Sequence, residues 1–229
     1  MISLFLSWYT VFFLLIGPNP SITKTPLNSP PDCRAKPGFI DRINGIDGKR
    51  AAISTTELNV NGLTLVELEQ PQFPNSKRLK TYQHESWKMA GSVGPFTLDQ
   101  FGNIYIVPSP KVNVLENPIK DQNIIYVVNS GTGIMEPLIN LPYDSTLLTS
   151  NFRNPFGLIG ITYDCEDFTL FASSVLGSTP EIEKGVIFHI NPFNKKIISA
   201  LKNIDAFGMI PIQMGNEKQN HTIHHPRRS

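Results

Sequence analysis

Asp164, Cys165, Glu166 and Asp167 stand in a row, a thiol among carboxylates, and such a set could supply a nucleophile and the base that activates it. The four lie between two short apolar runs, "LIGITY" and "FTLFASSV". An acidic stretch in that setting is the turn of a hairpin, where polar side chains bond their own backbone and face water. The reading is a solvated turn and no catalytic cluster.

The other reactive constellations fare no better. His221, His224 and His225 in "HTIHH" have spacing that could hold a metal, but they sit in a polar tail that would itself bear the cost of ordering. The overlapping "NHT" at Asn220 is a glycosylation acceptor pattern, with meaning only in a eukaryotic exported chain. Asp99, Gly102 and Asn103 lack the downstream Glu of a calcium loop and read as a β-turn. "GTG" at 131–133 lacks the third glycine and the helix of a nucleotide loop. Neither a Gly-x-Ser-x-Gly elbow nor a phosphate-binding Walker loop occurs. His189, between Phe188 and Ile190, reads as a half-exposed structural histidine, and Trp87 as a packing residue. No catalytic residue, metal ligand or cofactor is assigned.

The elements that would position a site come next. The 229 residues carry 20 Lys plus Arg against 19 Asp plus Glu, a balance that gathers neither nucleic acid nor acidic lipid. Charged residues are 17% of the chain, with 19 Pro and 16 Gly, which suits many short strands joined by tight turns in a single domain. Residues 2–16 are uncharged and end at Gly17-Pro18, about the length of a signal-peptide core and short for a membrane span. Residues 1–20 are therefore read as an export signal, with an uncleaved amino-terminal anchor as the alternative, and the location as secreted, periplasmic or extracellular. Residues 21–38 are rich in Pro, Ser, Thr and Asn and read as a linker. Cys33 and Cys165 are an even number in an exported chain and permit one disulfide. Nothing in the sequence brings them together, and two separate thiols is the expectation.

From Phe39 the folded part begins. Asn-Gly and Asp-Gly turn signals lie in "INGIDGK", a strand is read in "GLTLVELE", and the polar residues 70–86 read as loop. A repeat follows. The first unit, 91–142, runs "GPFTLDQFGNIYIVPSP" and, after a polar insert, "NIIYVVNSGTGIMEPLINL". The second, 152–202, runs "NPFGLIGITYDCEDFTLFASSV" and, after another insert, "GVIFHINPFNKKIISAL". Pro95 and Pro155 are 60 residues apart, and the third strands begin 62 apart, at Ile124 and Val186. Four antiparallel strands per unit is the pattern of a β-propeller blade, which packs radially so that each blade covers the next. A two-sheet sandwich has no reason to repeat a hairpin, insert and hairpin at fixed spacing.

The repeats resemble the six-bladed propellers of the NHL, strictosidine-synthase-like and SMP-30/gluconolactonase-like group, in "LDQFGNIYIVPS" and "NPFGLIGITYDCEDFTLFASS". The resemblance covers residues 91–202 and implies architecture more than activity. The lactonase-type members would imply a divalent cation in the central channel. At the matching positions stand Phe156 and Ser173, which offer no oxygen and a neutral hydroxyl, and Pro108 where the first unit's closing Asp would fall. Metal-dependent lactone hydrolysis is therefore not expected.

The fold class read here is all-β, with propeller-like repeats of four-stranded antiparallel blades in an incomplete ring spanning 39–213, followed by a polar tail at 214–229. The incomplete ring is read as a truncated or frame-shifted longer propeller, or as one completed by its own copies or another subunit. In this fold the ligand mouth lies where first strands begin and second strands end, away from the acidic turn. Its rim would carry Ser92, Ser109, Asn154, Phe156, Ser173 and Ser174, small and neutral for the most part. The expected role is a non-catalytic binding or scaffolding module for a protein or small-molecule ligand, with self-association through open blade edges. The alternative is an SMP-30-like hydrolase or lyase.

Overall fold

The computed structural model describes residues 33–55, 61–68, 80–109, 122–143 and 156–211. Among them are eleven strands in three antiparallel sheets, and the helical residues are confined to two short 3₁₀ turns, Gly38–Arg42 and Glu85–Ala90. The first sheet has three strands in the order β1 (Ala51–Ser54), β2 (Thr64–Glu67), β3 (Thr81–Tyr82). The second is a four-stranded meander of β4 (Val93–Leu98), β5 (Ile104–Pro108), β6 (Ile124–Val128) and β7 (Met135–Asn140). The third repeats that meander with β8 (Leu158–Asp164), β9 (Thr169–Ser174), β10 (Val186–Asn191) and β11 (Lys196–Lys202). The chain is all-β with propeller-like blades, and the described sheets do not close a ring.

The two four-stranded sheets coincide with the two repeats read from sequence. The earlier stretch differs: β3 and the first two residues of the turn that carries Trp87 fall where 70–86 reads as loop, and Leu68 lies beyond β2 and is exposed. Two residues of strand give too little alternation to recognise. Trp87 is buried, its rings set edge-on to Phe39 and Tyr82, and its Nε1 donates to the Gly133 carbonyl at 2.7 Å. It packs, as expected.

Stacking of the sheets explains their composition. On β5, Ile104 and Ile106 face the first sheet while Tyr105 and Val107 face the third, so every residue of "IYIVP" is buried. A strand covered on both sides can be apolar throughout, each such side chain contributing about 1.5–3 kcal/mol by leaving water. Against it from the third sheet lie Leu158, Ile161 and Tyr163 of β8 and Leu170 and Ala172 of β9. The inner strands of the two blades touch directly, the Tyr163 amide donating to Thr97 Oγ1 at 3.3 Å. Pro95 falls at the irregular step of β4 between Val93 and Phe96, where the ladder is already broken.

One end of the stack is strapped. Cys33 and Cys165 form a disulfide, which corrects the expectation of separate thiols. From it the chain crosses the blade ends: the Ala35 amide donates to the Asp99 carbonyl at 3.0 Å and the Phe39 amide to the Ser130 carbonyl at 2.8 Å. Phe39 and Ile40 then enter the core between the first two sheets. The last residues of the stretch read as linker are thus held against the hairpin turns.

Candidate functional site

The two ends of the blades do different work. At the strapped end sit the hairpin turns with their acidic residues. Asp99 is fully buried, and its Oδ1 accepts the amides of Phe101 and Asn103, each at 2.9 Å. Its Oδ2 accepts Asn103 Nδ2 at 2.8 Å and the Tyr105 hydroxyl at 2.9 Å. Tyr105 stacks on Tyr163 with ring planes 6° apart, and the Tyr163 hydroxyl donates to Gln100 Oε1 at 2.6 Å. Burial first, and then the charge of Asp99, push both phenols well above the ordinary tyrosine range. They stay protonated and serve as donors.

The corresponding residue of the second blade is Asp164, which closes β8. It is 3% exposed, so the solvated acidic turn is corrected at this position; Glu166 and Asp167 are exposed as expected. Asp164 Oδ1 accepts the Glu166 amide at 2.9 Å, which shapes the turn. Cys165 is consumed in the disulfide, so the four residues hold no free thiol. Their work is architectural, at the end opposite the one where β8 and β10 begin.

At that other end a cavity of about 480 Å³ opens along the seam between the two four-stranded blades, a size within the range of small-molecule sites. The second blade supplies most of its wall through Val186 and Phe188 of β10 and Ile197, Ala200 and Lys202 of β11. The first blade supplies Asn123, at the head of β6, with Pro142 and Tyr143 from the stretch after β7. Ser174, Leu176, Lys184 and Asn203 complete the lining. Ser174 and Asn123 are both buried, and the Ser174 hydroxyl donates to Asn123 Oδ1 at 2.9 Å across the seam. That bond fixes the amide oxygen as acceptor and leaves the Asn123 nitrogen to donate elsewhere.

Of the six residues read as a rim, five are described, and two of them face opposite ways. Ser174 lines the cavity, whereas Ser173, one residue earlier on β9, points to the opposite face and is 0% exposed, its Oγ without a partner among the described residues. Successive residues of a strand face opposite sides, so the two serines cannot share a mouth. Ser92 and Ser109 meet through their backbones in the first blade, the Ser109 amide donating to the Ser92 carbonyl at 2.9 Å. Phe156 is 42% exposed, and Asn154 lies outside the described residues. The histidines of "HTIHH" and Asn220 also lie outside them. His189 is partly buried, stacked on Phe171 and 2.9 Å from Thr169 Oγ1.

Sequence reasoning missed most of the cavity wall. Asn123 and Tyr143 belong to one repeat and Phe188 and Lys202 to the other, and only the stacking of the blades brings them together. The available signal was one face of β10 continued onto β11, with a lysine at the near end of each. Among the described residues, no group of three His, Cys, Asp or Glu gathers as metal ligands. A scan of protein-family models, a search of curated proteins and a search of solved structures find no match to this chain.

Proposed function

We propose that this chain is an exported, non-catalytic propeller module that binds a small ligand in the seam cavity, with kinship to the NHL, strictosidine-synthase-like and SMP-30-like group. The observation that carries the reading is the cavity itself: an apolar wall with amides, a hydroxyl, a phenol and two ammonium groups arranged around it. That lining offers contact area and hydrogen bonds without an acid paired to a nucleophile. Export is supported by the Cys33–Cys165 disulfide, since such bonds persist in oxidising compartments, and by the uncharged run at residues 2–16.

Ala200 provides the test because it is exposed and borders the cavity, so a large side chain there occupies the space without straining the core. The neutral dye N-phenyl-1-naphthylamine should bind the full chain saturably, and Ala200→Trp should remove that binding while the circular dichroism spectrum stays unchanged. Dye binding that is absent, or indifferent to Ala200→Trp, would overturn the reading. The hydrolase alternative makes a separate demand: calcium or zinc binding in the micromolar range together with lactone hydrolysis.

A second mode of association is favoured by β11, the outermost strand of its sheet, every residue of which is exposed. A strand edge in that state is a template for pairing with another copy. The proposed partner at this edge is a second copy of the chain.

A further inference from the structure

The cavity is layered, and the layers follow from strand register. Across the third sheet Ser174 pairs with Val186, and Val186 with Lys202, which sets these three side by side at the level where β10 begins. Lys184 is two residues before Val186 and lines the same cavity, and Asn123 is bonded to Ser174 at this level. One step further along the same face Phe188 pairs with Ala200, and beyond the irregular step Ile190 pairs with Ile197. Residues two apart on a strand share a face, so the cavity runs from a polar, cationic lip into an apolar interior.

Among the described residues neither Lys184 nor Lys202 forms an ion pair, and the cavity lining contains no carboxylate. Of the nearby acids, Asp205 Oδ1 accepts from the Ser178 hydroxyl and the Gly185 amide, Glu181 accepts from Thr179 in its own turn, and Glu183, next to Lys184 in the chain, is exposed and outside the lining. Ammonium groups beside an amide donor complement an anionic oxygen head, while the wall of Phe188, Ala200 and Ile197 complements a hydrocarbon body.

We infer that the seam cavity binds a small amphipathic carboxylate, its head at Lys184, Lys202 and Asn123 and its apolar body against Phe188 and Ala200. The inference deepens the binding reading given above and rests on it. Displacement of N-phenyl-1-naphthylamine from the full chain by octanoate and by 1-octanol separates charge from chain length. Octanoate should bind about tenfold more tightly than 1-octanol at low salt, as two exposed ion pairs would allow. The double variant Lys184→Gln with Lys202→Gln, at exposed positions that do not endanger folding, should lose that preference while 1-octanol binds as before. Equal affinity of the two ligands, or a preference that survives the double substitution, would overturn the anionic assignment with cavity binding intact. Failure of the dye and both ligands to bind would overturn the underlying reading as well.

Discussion

Asp99 accepts four hydrogen bonds in a place that water does not reach, and so concentrates more of the first blade's polar order than any other side chain described. Asp99→Ala would leave two amides, an amide side chain and a phenol without their acceptor. The expected loss is at least about 3 kcal/mol in urea unfolding, given roughly 1–3 kcal/mol for each buried group left unsatisfied. The turn was legible in "DQFGN", but its burial was not, because that depends on the strap laid across it by residues 33–38. The phenols lead to a second expectation. Folding holds the Tyr105 and Tyr163 protons more tightly than the unfolded chain does. Their contribution to stability is therefore complete below about pH 10 and falls as pH rises beyond it, where these two ionise only in the unfolded chain. Phenolate absorbance should show two of the six tyrosines titrating together with unfolding. Ser173 offers the opposite case. Its buried hydroxyl has no partner among the described residues, so Ser173→Ala should raise stability by about 1 kcal/mol in the same urea assay.

Elements are positioned here by close approach of backbones as much as by side chains. Gly62, just before β2, has φ +85°, and a Cβ there would collide with the Trp87 carbonyl. Gly62→Ala therefore combines a strained backbone with displacement of the turn that buries Trp87, and a loss of several kcal/mol is expected, read as a large fall in melting temperature. The strap is the other positioning device. Its disulfide closes a loop of 132 residues, from the start of the described chain to the second blade. Replacing both cysteines by serine should cost about 2–5 kcal/mol, and addition of reductant should lower the melting temperature of the native chain but not that of the variant. Among the elements, the four strands of each repeat were legible because alternation and turn residues recur at fixed spacing. The pairing of Cys33 with Cys165 was not, because it depends on which turns meet the strap.

At the scale of the whole molecule the third sheet is treated unevenly by its surroundings. Its face toward the first blade is filled by Leu170, Ala172 and Ile190, all 0% exposed. The other face meets the returning chain after Lys202: a Cβ on Gly160 would lie 3.6 Å from both the Phe207 carbonyl and Met209 Cε. That segment covers the inner strands and leaves β11 bare, with Ile198 53% and Leu201 49% exposed. Apolar residues on an uncovered edge favour association. Sedimentation of the purified chain should show a concentration-dependent dimer that Leu201→Lys shifts toward monomer. A strict monomer at high concentration would remove the self-association proposal and leave the cavity untouched.

What the sequence by itself determined is everything carried by period and turn chemistry: an all-β chain, two hairpin-insert-hairpin units, and an acidic stretch that belongs to a turn. These are local properties, set by alternation along a strand and by residues that reverse the backbone. Tertiary structure decided which residues share a space. It drew the two cysteines together, buried Asp99 and Asp164, sent Ser173 and Ser174 to opposite faces, and assembled the seam cavity from two repeats 60 residues apart. The physical reason is that a blade's face is completed only by its neighbour. A pocket at that seam leaves only half of its signature, one face of β10 and β11, within a single repeat, and the rest is set when the sheets stack.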